Sequence, residues 1–298
     1  MSSFKSWIHA ARLRTLPLAL SSVLMGATLA YADGHVDGTA LILAVITTLV
    51  LQILSNFAND YGDFSSGVDI EGRIGPERAM QGGHISPVQM KRAIAITSLI
   101  ALISGIGLLL VADIPIKGLL ILLGTGVLAI VAAITYTVGK RPYGYVGLGD
   151  LSVFLFFGLV GVLGSHYVIH GEFFARNILP ASTLGMFSVG VLNLNNIRDL
   201  AADKLHRKNT IPVTLGPQKA RIYHLVLLSS GWILAIIYIL INNQHWTQWL
   251  IFLSFPLFVT NLVSLWNREE RQIDPLLKQL AIATLLFVIL SGLGWWLG

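Results

Sequence analysis

The fold is decided by a stretch in which an apolar run meets a group of acids: 39-TALILAVITTLVLQILSNFA-58, followed directly by 59-NDYGDFSSGVD-69. A helix of roughly 20 residues crosses the hydrocarbon core of a bilayer, so the first part predicts a transmembrane helix. The second part carries Asp60, Asp63 and Asp69 where that helix leaves the membrane. A helix that only anchors a protein in lipid needs no such concentration of acids at its end.

The composition extends this prediction to the whole chain. Of 298 residues, 54% are hydrophobic and 12% are charged, and the mean hydropathy is +0.72. A soluble chain of this length needs far more charge to cover its surface. We therefore predict an all-α, polytopic membrane helical bundle, one domain over residues 1–298, with nine spans near 16–32, 39–58, 93–112, 118–138, 151–170, 179–195, 223–242, 247–266 and 279–297.

Other features limit the alternatives. The first window also has the form of a signal peptide, since Lys5, Arg12 and Arg14 precede apolar residues that end in 29-LAYA-32, but a retained span is favoured. The chain has no cysteine, which excludes disulfides and thiolate catalysis. The net charge of +5 does not indicate a nucleic-acid partner, because the distribution of the basic residues explains it better.

That distribution predicts an orientation. If the N-terminus is cytoplasmic, nine spans leave only Lys117 and Arg176, of 20 lysines and arginines, on the outer side. Such an asymmetry follows the positive-inside rule. We expect an integral protein of a bacterial inner membrane, with the N-terminus and the long loops in the cytoplasm and the C-terminus outside.

Polar residues recur at helical spacing after the second and sixth windows. These positions are three and four residues apart in both segments: Asn56, Asn59, Asp60 and Asp63 in the first, and Asn196, Asp199 and Asp203 in the second. On a helix that continues out of each span, such positions share one face. Both clusters are predicted to emerge on the same side of the membrane, in the two longest connections of the chain.

Grouped carboxylates repel one another near a membrane boundary and need a compensating cation. Carboxylate and amide oxygens suit Mg²⁺, which binds through a few carboxylates together with the oxygens of a phosphate substrate. Basic residues that can hold phosphate oxygens lie nearby: Arg78, Lys140, Arg141, Arg198, Arg207 and Lys208. The sequence therefore predicts a phosphorylated ligand.

Simpler interpretations exist for each signal. One such cluster alone is as well explained by a helix cap or a solvated turn. A calcium loop that starts at Asp60 is rejected, because Gly62 and Phe64 stand at ligand positions. The i, i+4 pair His166 and His170 is interpreted as a surface or interfacial pair rather than a metal site.

The segments 59-NDYGDFSSGVD-69 and 196-NIRDLAAD-203 resemble the two aspartate-rich motifs of the UbiA superfamily of intramembrane aromatic prenyltransferases. The resemblance covers nearly the whole chain, and 11-ARLRTLP-17, 147-GLGD-150 and 208-KNTIPVTLG-216 are similar to its 1,4-dihydroxy-2-naphthoate branch. Members that act on 4-hydroxybenzoate have an aspartate where this chain has Gly67. The next carboxylate here is Asp69, whose role the resemblance leaves open, and Asp150 stands where the branch often has glutamate.

The resemblance implies nine spans around a central cavity that is open on the cytoplasmic side. It also implies Mg²⁺ as cofactor and a polyprenyl diphosphate and dihydroxynaphthoate as substrates, with loss of CO₂ and formation of demethylmenaquinone. Besides membrane lipid, no protein partner is expected. The implied metal ligands are Asn59, Asp63, Asp199, Asp203 and, with an open role, Asp69.

Further site residues are expected around the metal and the diphosphate. Supporting polar groups and phosphate-binding cations are expected at Asn56, Asp60, Asn196, Arg78, Lys140, Arg198 and Lys208. Tyr136 and Tyr145 are candidates to stabilise an allyl cation, although interfacial tyrosines explain them equally well. Arg14, or Arg12 beside it, is a candidate partner for the acceptor's carboxylate.

Three other functions remain open at this point. The first is a prenyltransferase of the same superfamily that uses 4-hydroxybenzoate, homogentisate or a porphyrin-type acceptor. The second is a transporter, since intramembrane polar residues mark ion pathways, although the acids here gather at one face of the membrane. The third is a structural scaffold, which needs no matched acidic motifs.

Overall fold

The computed structural model describes residues 4–67, 78–242 and 244–298, and within these ranges the chain is helical and contains no strand. Nine of its helices are long and apolar enough to cross a membrane, which confirms the predicted architecture. We label them α1 to α9 in chain order: Phe4–Ala32, Gly38–Ser65, Pro87–Val111, Ile116–Thr135, Gly149–His170, Ala175–Arg198, Pro217–Ile241, Trp246–Trp266 and Asp274–Trp296.

Each predicted window overlaps one of these helices, but several helices begin earlier than the apolar run. α3 begins at Pro87 because Ser86 caps it: the Ser86 hydroxyl accepts from the backbone N–H of Gln89, whose side chain accepts from the N–H of Ser86. In α2, the Asp37 carboxylate accepts from the N–H groups of Thr39 and Ala40. Caps are polar, so they lie outside windows chosen by hydropathy.

α1 is interrupted at Arg12. A first helical piece, Phe4–Ala11, ends there, and the membrane-crossing piece is Leu16–Ala32. Arg12 has φ 50° and ψ 59°, a left-handed conformation that costs a non-glycine residue about 1–3 kcal/mol. The interruption lays the first piece over the end of α2, where Trp7 packs edge-on against Phe57 with ring centroids 5.6 Å apart.

The densest packing surrounds α6, the most buried of the nine spans. Phe187 of α6 contacts the rings of Phe258, Phe287 and Trp232, with centroids 4.5 to 6.2 Å apart. Gly231 is required beside it, because a Cβ at that position would collide with the Phe187 ring. This aromatic cluster joins α6 to α7, α8 and α9, whereas the hydrophobic window of α4 has no buried residue.

α5 is wound as a π-helix from Phe154 to Gly164. Its glycines bring it close to two neighbours: a Cβ on Gly158 would meet α6 at Ala181 and Gly185, and one on Gly161 would meet Ser22 of α1. The Ser22 hydroxyl donates to the carbonyl of Phe157 over 2.6 Å. This close packing fixes α5 between α1 and α6. Longer segments of π-helix are rare and frequently occur at functional sites.

The chain after α6 departs from the prediction of a continuous helix through Asp203. α6 ends at Arg198, Asp199 has φ −93° and ψ 7°, and a separate short helix follows at Leu200–Leu205. Aspartate favours helix ends because its carboxylate competes with the backbone for hydrogen bonds. Asp199 and Asp203 therefore do not extend one regular helical face from Asn196.

Candidate active site

A cavity of about 530 Å³ opens among α1 to α6 and α9. Along α2 it is lined from Ala44 to Asp63, which at 1.5 Å per residue is about 28 Å of helix. Its deep part is apolar, with Ala44, Leu109 and Val168 in the wall. Polar and charged side chains gather at the other end, where α2 and α6 finish.

Asp63 lies at this polar end and is 2% exposed. Its carboxylate forms an ion pair with Arg78 and accepts a hydrogen bond of 2.5 Å from the Tyr145 hydroxyl. Tyr145 is in turn 3.0 Å from the hydroxyl of Ser66. Asp63 is thus held by one guanidinium and one phenol, in agreement with the predicted proximity of Arg78 to the first acidic cluster.

The other members of the first cluster differ in what they contact. Asp60 is buried and pairs with Arg12, with the Nε of Arg78 3.7 Å away, and it does not line the cavity. Asn56 lines the cavity and donates to the carbonyl of Ala11 over 2.8 Å. These two residues therefore fasten the N-terminal segment to α2.

Asn59 lines the cavity with Asp63, and Thr137 orients its side chain. The Thr137 hydroxyl is 3.0 Å from the carbonyl of Ala58 and 3.2 Å from the side-chain oxygen of Asn59. The backbone carbonyl of Asn59 accepts from Arg78 over 3.0 Å. The amide of Asn59 is thereby held at the entrance to the polar end.

Asp203 is the most buried acid of the second cluster. It is 2% exposed, its Oδ1 lies 3.5 Å from the ammonium of Lys208, and its Oδ2 is buried with no hydrogen-bond partner among the described residues. Burial raises the pKa of Asp203 to about 6; Lys208 opposes this shift, and the charges of Asp199 and Asp63 add to it. Its free oxygen is a ready ligand for a cation.

Lys208 connects the two clusters. Its ammonium lies 3.5 Å from Asp203 and 5.3 Å from the centre of the Tyr145 ring, and Tyr145 donates to Asp63. Carboxylates from segments 140 residues apart in sequence are thus joined through one lysine and one tyrosine. Asn196 is buried and also lines the cavity, as do Asn59, Asp63, Arg78 and Lys208.

Asp199 and Arg198 form a separate group beside the cavity. Arg198 is fully buried and donates to both oxygens of Asp199, over 2.9 and 2.6 Å, and to Asn195 over 2.8 Å. It also pairs with Asp274 of α9. Neither Arg198 nor Asp199 is among the residues that line the cavity.

The two candidate tyrosines occupy different places. Tyr136 lines the cavity and packs edge-on against Tyr143 at 5.3 Å, whereas Tyr145 does not line it. Burial raises the pKa of both phenols far above the ordinary value, with the charge of Asp150 adding for Tyr136 and that of Asp63 for Tyr145. Both are therefore neutral hydrogen-bond donors.

Other predicted residues lie outside the cavity or outside the described chain. Lys140 is exposed and does not line the cavity, and Asp69 falls outside the described residues. Arg14 does line it, with its guanidinium 3.2 Å from Asp274.

The prediction that His166 lies at the surface is wrong. It is buried, 2.8 Å from Asp33, which also pairs with Arg176.

Three residues at the site were missed by sequence reasoning. Thr137 orients Asn59, Asp274 joins Arg14 to Arg198, and Lys278 lines the cavity from α9. Thr137 stands alone in sequence and forms no motif. Asp274 and Lys278 do carry a signal, since an acid and a base four residues apart begin the last span, but that spacing is typical of any surface helix.

Mg²⁺ fits the donors present only if a substrate completes its coordination. In the described part of the chain, no three His, Asp or Glu side chains converge closely enough to hold a metal alone. Asp203 does not line the cavity, but its buried Oδ2 has no hydrogen-bond partner among the described residues, and the charge of Asp63 raises its pKa, which places the two carboxylates near each other. Few protein carboxylates together with substrate phosphate oxygens are what Mg²⁺ prefers.

Comparison with known proteins gives close relatives. The UbiA prenyltransferase family matches residues 19–287. A 1,4-dihydroxy-2-naphthoate octaprenyltransferase of Haemophilus influenzae is 41% identical over 298 residues, covering 99% of this chain and 96% of that protein. The enzyme of the same name from Escherichia coli is 41% identical over 305 residues, covering 99% and 98%.

Solved structures share the fold. A UbiA homolog from Aeropyrum pernix K1, in its apo form, superposes with a TM-score of 0.70 at 19% identity, covering 95% of this chain and 97% of that one. A homolog from Archaeoglobus fulgidus bound to GPP and Mg²⁺ gives 0.64 at 18% identity, covering 94% and 98%. The resemblance found in the two acidic motifs is confirmed, and the chain belongs to the UbiA prenyltransferase family.

Proposed function

We propose that this integral membrane protein transfers a polyprenyl group from polyprenyl diphosphate to 1,4-dihydroxy-2-naphthoate, with release of diphosphate and CO₂. The product is demethylmenaquinol, the reduced form of demethylmenaquinone, in the synthesis of menaquinone. One observation carries the proposal: Asp63 and Lys208 line the polar end of a deep apolar cavity, and Tyr145 and Asp203 link them from behind its wall. The activity named for relatives at 41% identity over nearly the full chain supports it.

The cavity matches the two parts of a polyprenyl diphosphate. The tail is apolar and fills the deep part of a cavity that follows about 28 Å of α2. The diphosphate stays at the polar end, where Arg78 and Lys208 supply positive charge. Each part of the donor thus keeps a favourable environment, which is the reason for a site at the membrane boundary.

Asp63 and Asp203, with Asn59, are the groups that would hold Mg²⁺ against the diphosphate. When bound, Mg²⁺ neutralises the negative charge that grows on the leaving diphosphate as the allylic C–O bond breaks. Arg78 and Lys208 stabilise the same change from fixed positions. Asp199, which is bound by Arg198, is better placed to steady the loop that carries Asp203.

Cleavage leaves an allyl cation that water would destroy, so an apolar pocket protects it. Tyr136 and Tyr143 present aromatic rings to the cavity, and such faces stabilise cations. Tyr145 does not line the cavity, so its role is to position Asp63.

The acceptor reacts through an electron-rich ring carbon. The ring carbon that bears the carboxylate forms the new C–C bond to the allyl cation, and its bond to the carboxylate then breaks with the electron pair returning to the ring, so CO₂ leaves and the ring is again aromatic. The acceptor's carboxylate needs a cation near the cavity mouth. Arg14 lines the mouth, although Asp274 already shares its charge.

A direct assay tests the proposal. Purified protein in nanodiscs receives farnesyl diphosphate, Mg²⁺, and either carboxyl-labelled 1,4-dihydroxy-2-naphthoate or 4-hydroxybenzoate. We expect a prenylated naphthalene product together with labelled CO₂ and no product when EDTA replaces Mg²⁺. Product from 4-hydroxybenzoate alone overturns the acceptor, and no product from either acceptor with folded protein overturns the activity.

We also propose that the polar end of the cavity faces the cytoplasm, because the basic residues gather there. The chain has no cysteine, so single cysteines can report the orientation cleanly. A cysteine at exposed Lys140 should react with a membrane-impermeant maleimide only after cells are opened, and one at exposed Phe173 should react in intact spheroplasts. The reverse pattern would invert the topology.

A further inference from the structure

Among the described residues, five basic side chains line the cavity: Arg12, Arg14, Arg78, Lys208 and Lys278. Four of them already face a carboxylate, since Arg12 pairs with Asp60, Arg14 with Asp274, Arg78 with Asp63 and Lys208 with Asp203. Lys278 forms no ion pair with any of the described residues. An incoming anion gains most from a cation whose charge is not already compensated.

Lys278 has an obvious partner that is occupied. Asp274 lies four residues earlier on α9, the spacing at which helical acids and bases pair. Asp274 instead accepts from Arg198, which is fully buried, and from Arg14 across the cavity mouth. Because the buried arginine holds Asp274, Lys278, which is exposed and lines the cavity, has no ion-pair partner among the described residues.

The helical position of Lys278 places it on the face of α9 that borders the cavity. Asp274, Lys278 and Ala281 all line it from α9, at spacings of four and three residues that define one helix face. Arg14 of α1 lines the same side and is joined to this face through Asp274. The diphosphate groups Asn59, Asp63 and Arg78 belong instead to α2 and the segment after it.

The cavity mouth therefore has two cationic regions on different helices. The first, at Arg78 and Lys208, has acids that invite Mg²⁺ and diphosphate. The second, at Lys278 and Arg14, has one acid for two cations. A monoanion suits the second region, and the acceptor of the proposed function carries one carboxylate.

We propose that Lys278 binds the carboxylate of the aromatic acceptor and orients the ring toward the allylic carbon. The inference rests on the proposed function for the identity of the acceptor. Lys278 acts on binding: it holds the carboxylate before and during attack by the ring carbon, and the carboxylate leaves as CO₂ afterwards. Removal of this charge raises the KM of the acceptor and changes kcat little, because the contact is made in the ground state as well.

The test compares Lys278→Met with Lys219→Met, a control at an exposed lysine outside the cavity. We expect Lys278→Met to raise the KM of dihydroxynaphthoate about 10-fold to 100-fold, the usual range for a lost charge-assisted contact. The KM of farnesyl diphosphate should stay within about twofold, and Lys278→Arg should recover part of the loss. An unchanged acceptor KM in Lys278→Met overturns the inference.

A binding measurement separates this inference from the proposed function. Without donor, wild-type protein should bind 1-hydroxy-2-naphthoate more tightly than 1-naphthol, and Lys278→Met should lose that preference while still binding 1-naphthol, which shows an intact cavity. A preference that survives in Lys278→Met overturns the role of Lys278. If wild-type protein binds the naphthoate but converts only another acceptor, the proposed function fails and the binding ratio still decides the role of Lys278.

Discussion

The acids of the first and second clusters are not equivalent. Asp60 is paired with Arg12, and Asp63 lines the cavity and is held by Arg78 and Tyr145. Neither Asp60 nor Asp203 lines the cavity, but Asp203 keeps a buried oxygen with no partner in the described part of the chain. An unsatisfied buried oxygen is costly, so it is retained where a ligand completes it. Asp203 is therefore the residue whose loss should be felt most directly by the metal.

Asp203→Asn should weaken the response to Mg²⁺, whereas Asp60→Asn should lower the stability of the protein. For Asp203→Asn we expect the Mg²⁺ concentration at half-maximal activity to rise by about 10-fold or more, since a ligand is lost. Asp60→Asn leaves two buried guanidinium groups with less compensation, so it should lower the free energy of unfolding by about 2–4 kcal/mol and leave the Mg²⁺ requirement unchanged. Mg²⁺ titrations of activity and thermal unfolding in one detergent measure both. The reverse pattern would exchange the two roles.

The raised pKa of Asp203 predicts a pH dependence of metal binding. With a pKa of about 6, the metal-free carboxyl is neutral below pH 6 and charged above it. Mg²⁺ needs the charged form, so the apparent affinity should fall by up to about tenfold per pH unit below pH 6 and level off above pH 7. Titrations at pH 5, 6 and 7 measure this fall. Asp203→Asn should flatten it, and an equal slope in that variant would assign the proton elsewhere.

At the scale of elements, the site depends on how closely α2 approaches the chain after α4. A Cβ built on Gly62 would lie 2.5 Å from the carbonyl oxygen of Thr137, so only glycine permits this contact. Thr137 in turn orients Asn59. The glycine of the acidic motif is thus a packing requirement that sets the position of a candidate metal ligand.

Gly62→Ala should therefore damage both packing and catalysis. The added methyl group meets backbone atoms, and overpacking of this kind costs about 1–3 kcal/mol. We expect a lower unfolding temperature and a loss of turnover, measured against Gly107→Ala on α3. A Cβ at Gly107 meets nothing within 4 Å, so that control should be neutral or slightly stabilising. Wild-type turnover in Gly62→Ala would show that the contact between Gly62 and Thr137 can accommodate a methyl group.

The elements were predictable from the sequence to different degrees. Nine apolar windows gave nine spans because hydropathy reports directly on the cost of placing backbone and side chains in lipid. The caps at Asp37 and Ser86, the break at Arg12 and the break at Asp199 were missed, because each depends on a few polar contacts that hydropathy averages away. Proximity in sequence indicated Arg78 and Lys208 as cations near the two acidic clusters, without saying which acid each one contacts. It did not reveal Lys278, whose meaning depends on Asp274 being occupied from other helices.

At the scale of the whole molecule, the cavity joins a polar reaction site to a long apolar space. Burial of a methylene group contributes about 0.8 kcal/mol, so longer donors should bind more tightly until the space is full. The deep end is marked by Ala44 on α2, which is buried and lines the cavity. A larger side chain there shortens the space without touching the diphosphate groups.

Ala44→Phe should therefore discriminate among donors by length. We expect its KM for geranyl diphosphate to remain near that of the wild type and its KM for long polyprenyl diphosphates to rise about tenfold or more, since buried methylene groups are lost. Ile46→Phe, on the exposed side of the same helix, is the matched control. Kinetics with a donor series measure the effect. An equal change for short and long donors would place the tail elsewhere.

The lack of buried residues in the hydrophobic window of α4 has a consequence for the surroundings of the enzyme. α4 has 20 residues, so it is about 30 Å long, close to the thickness of an average hydrocarbon core. Its inner face lines the cavity, and we expect acyl chains to pack against its outer face. Lipid is therefore part of the wall. Thicker or more tightly ordered bilayers change the tilt of such a helix, so membrane composition itself becomes a regulator of the space available to the substrate.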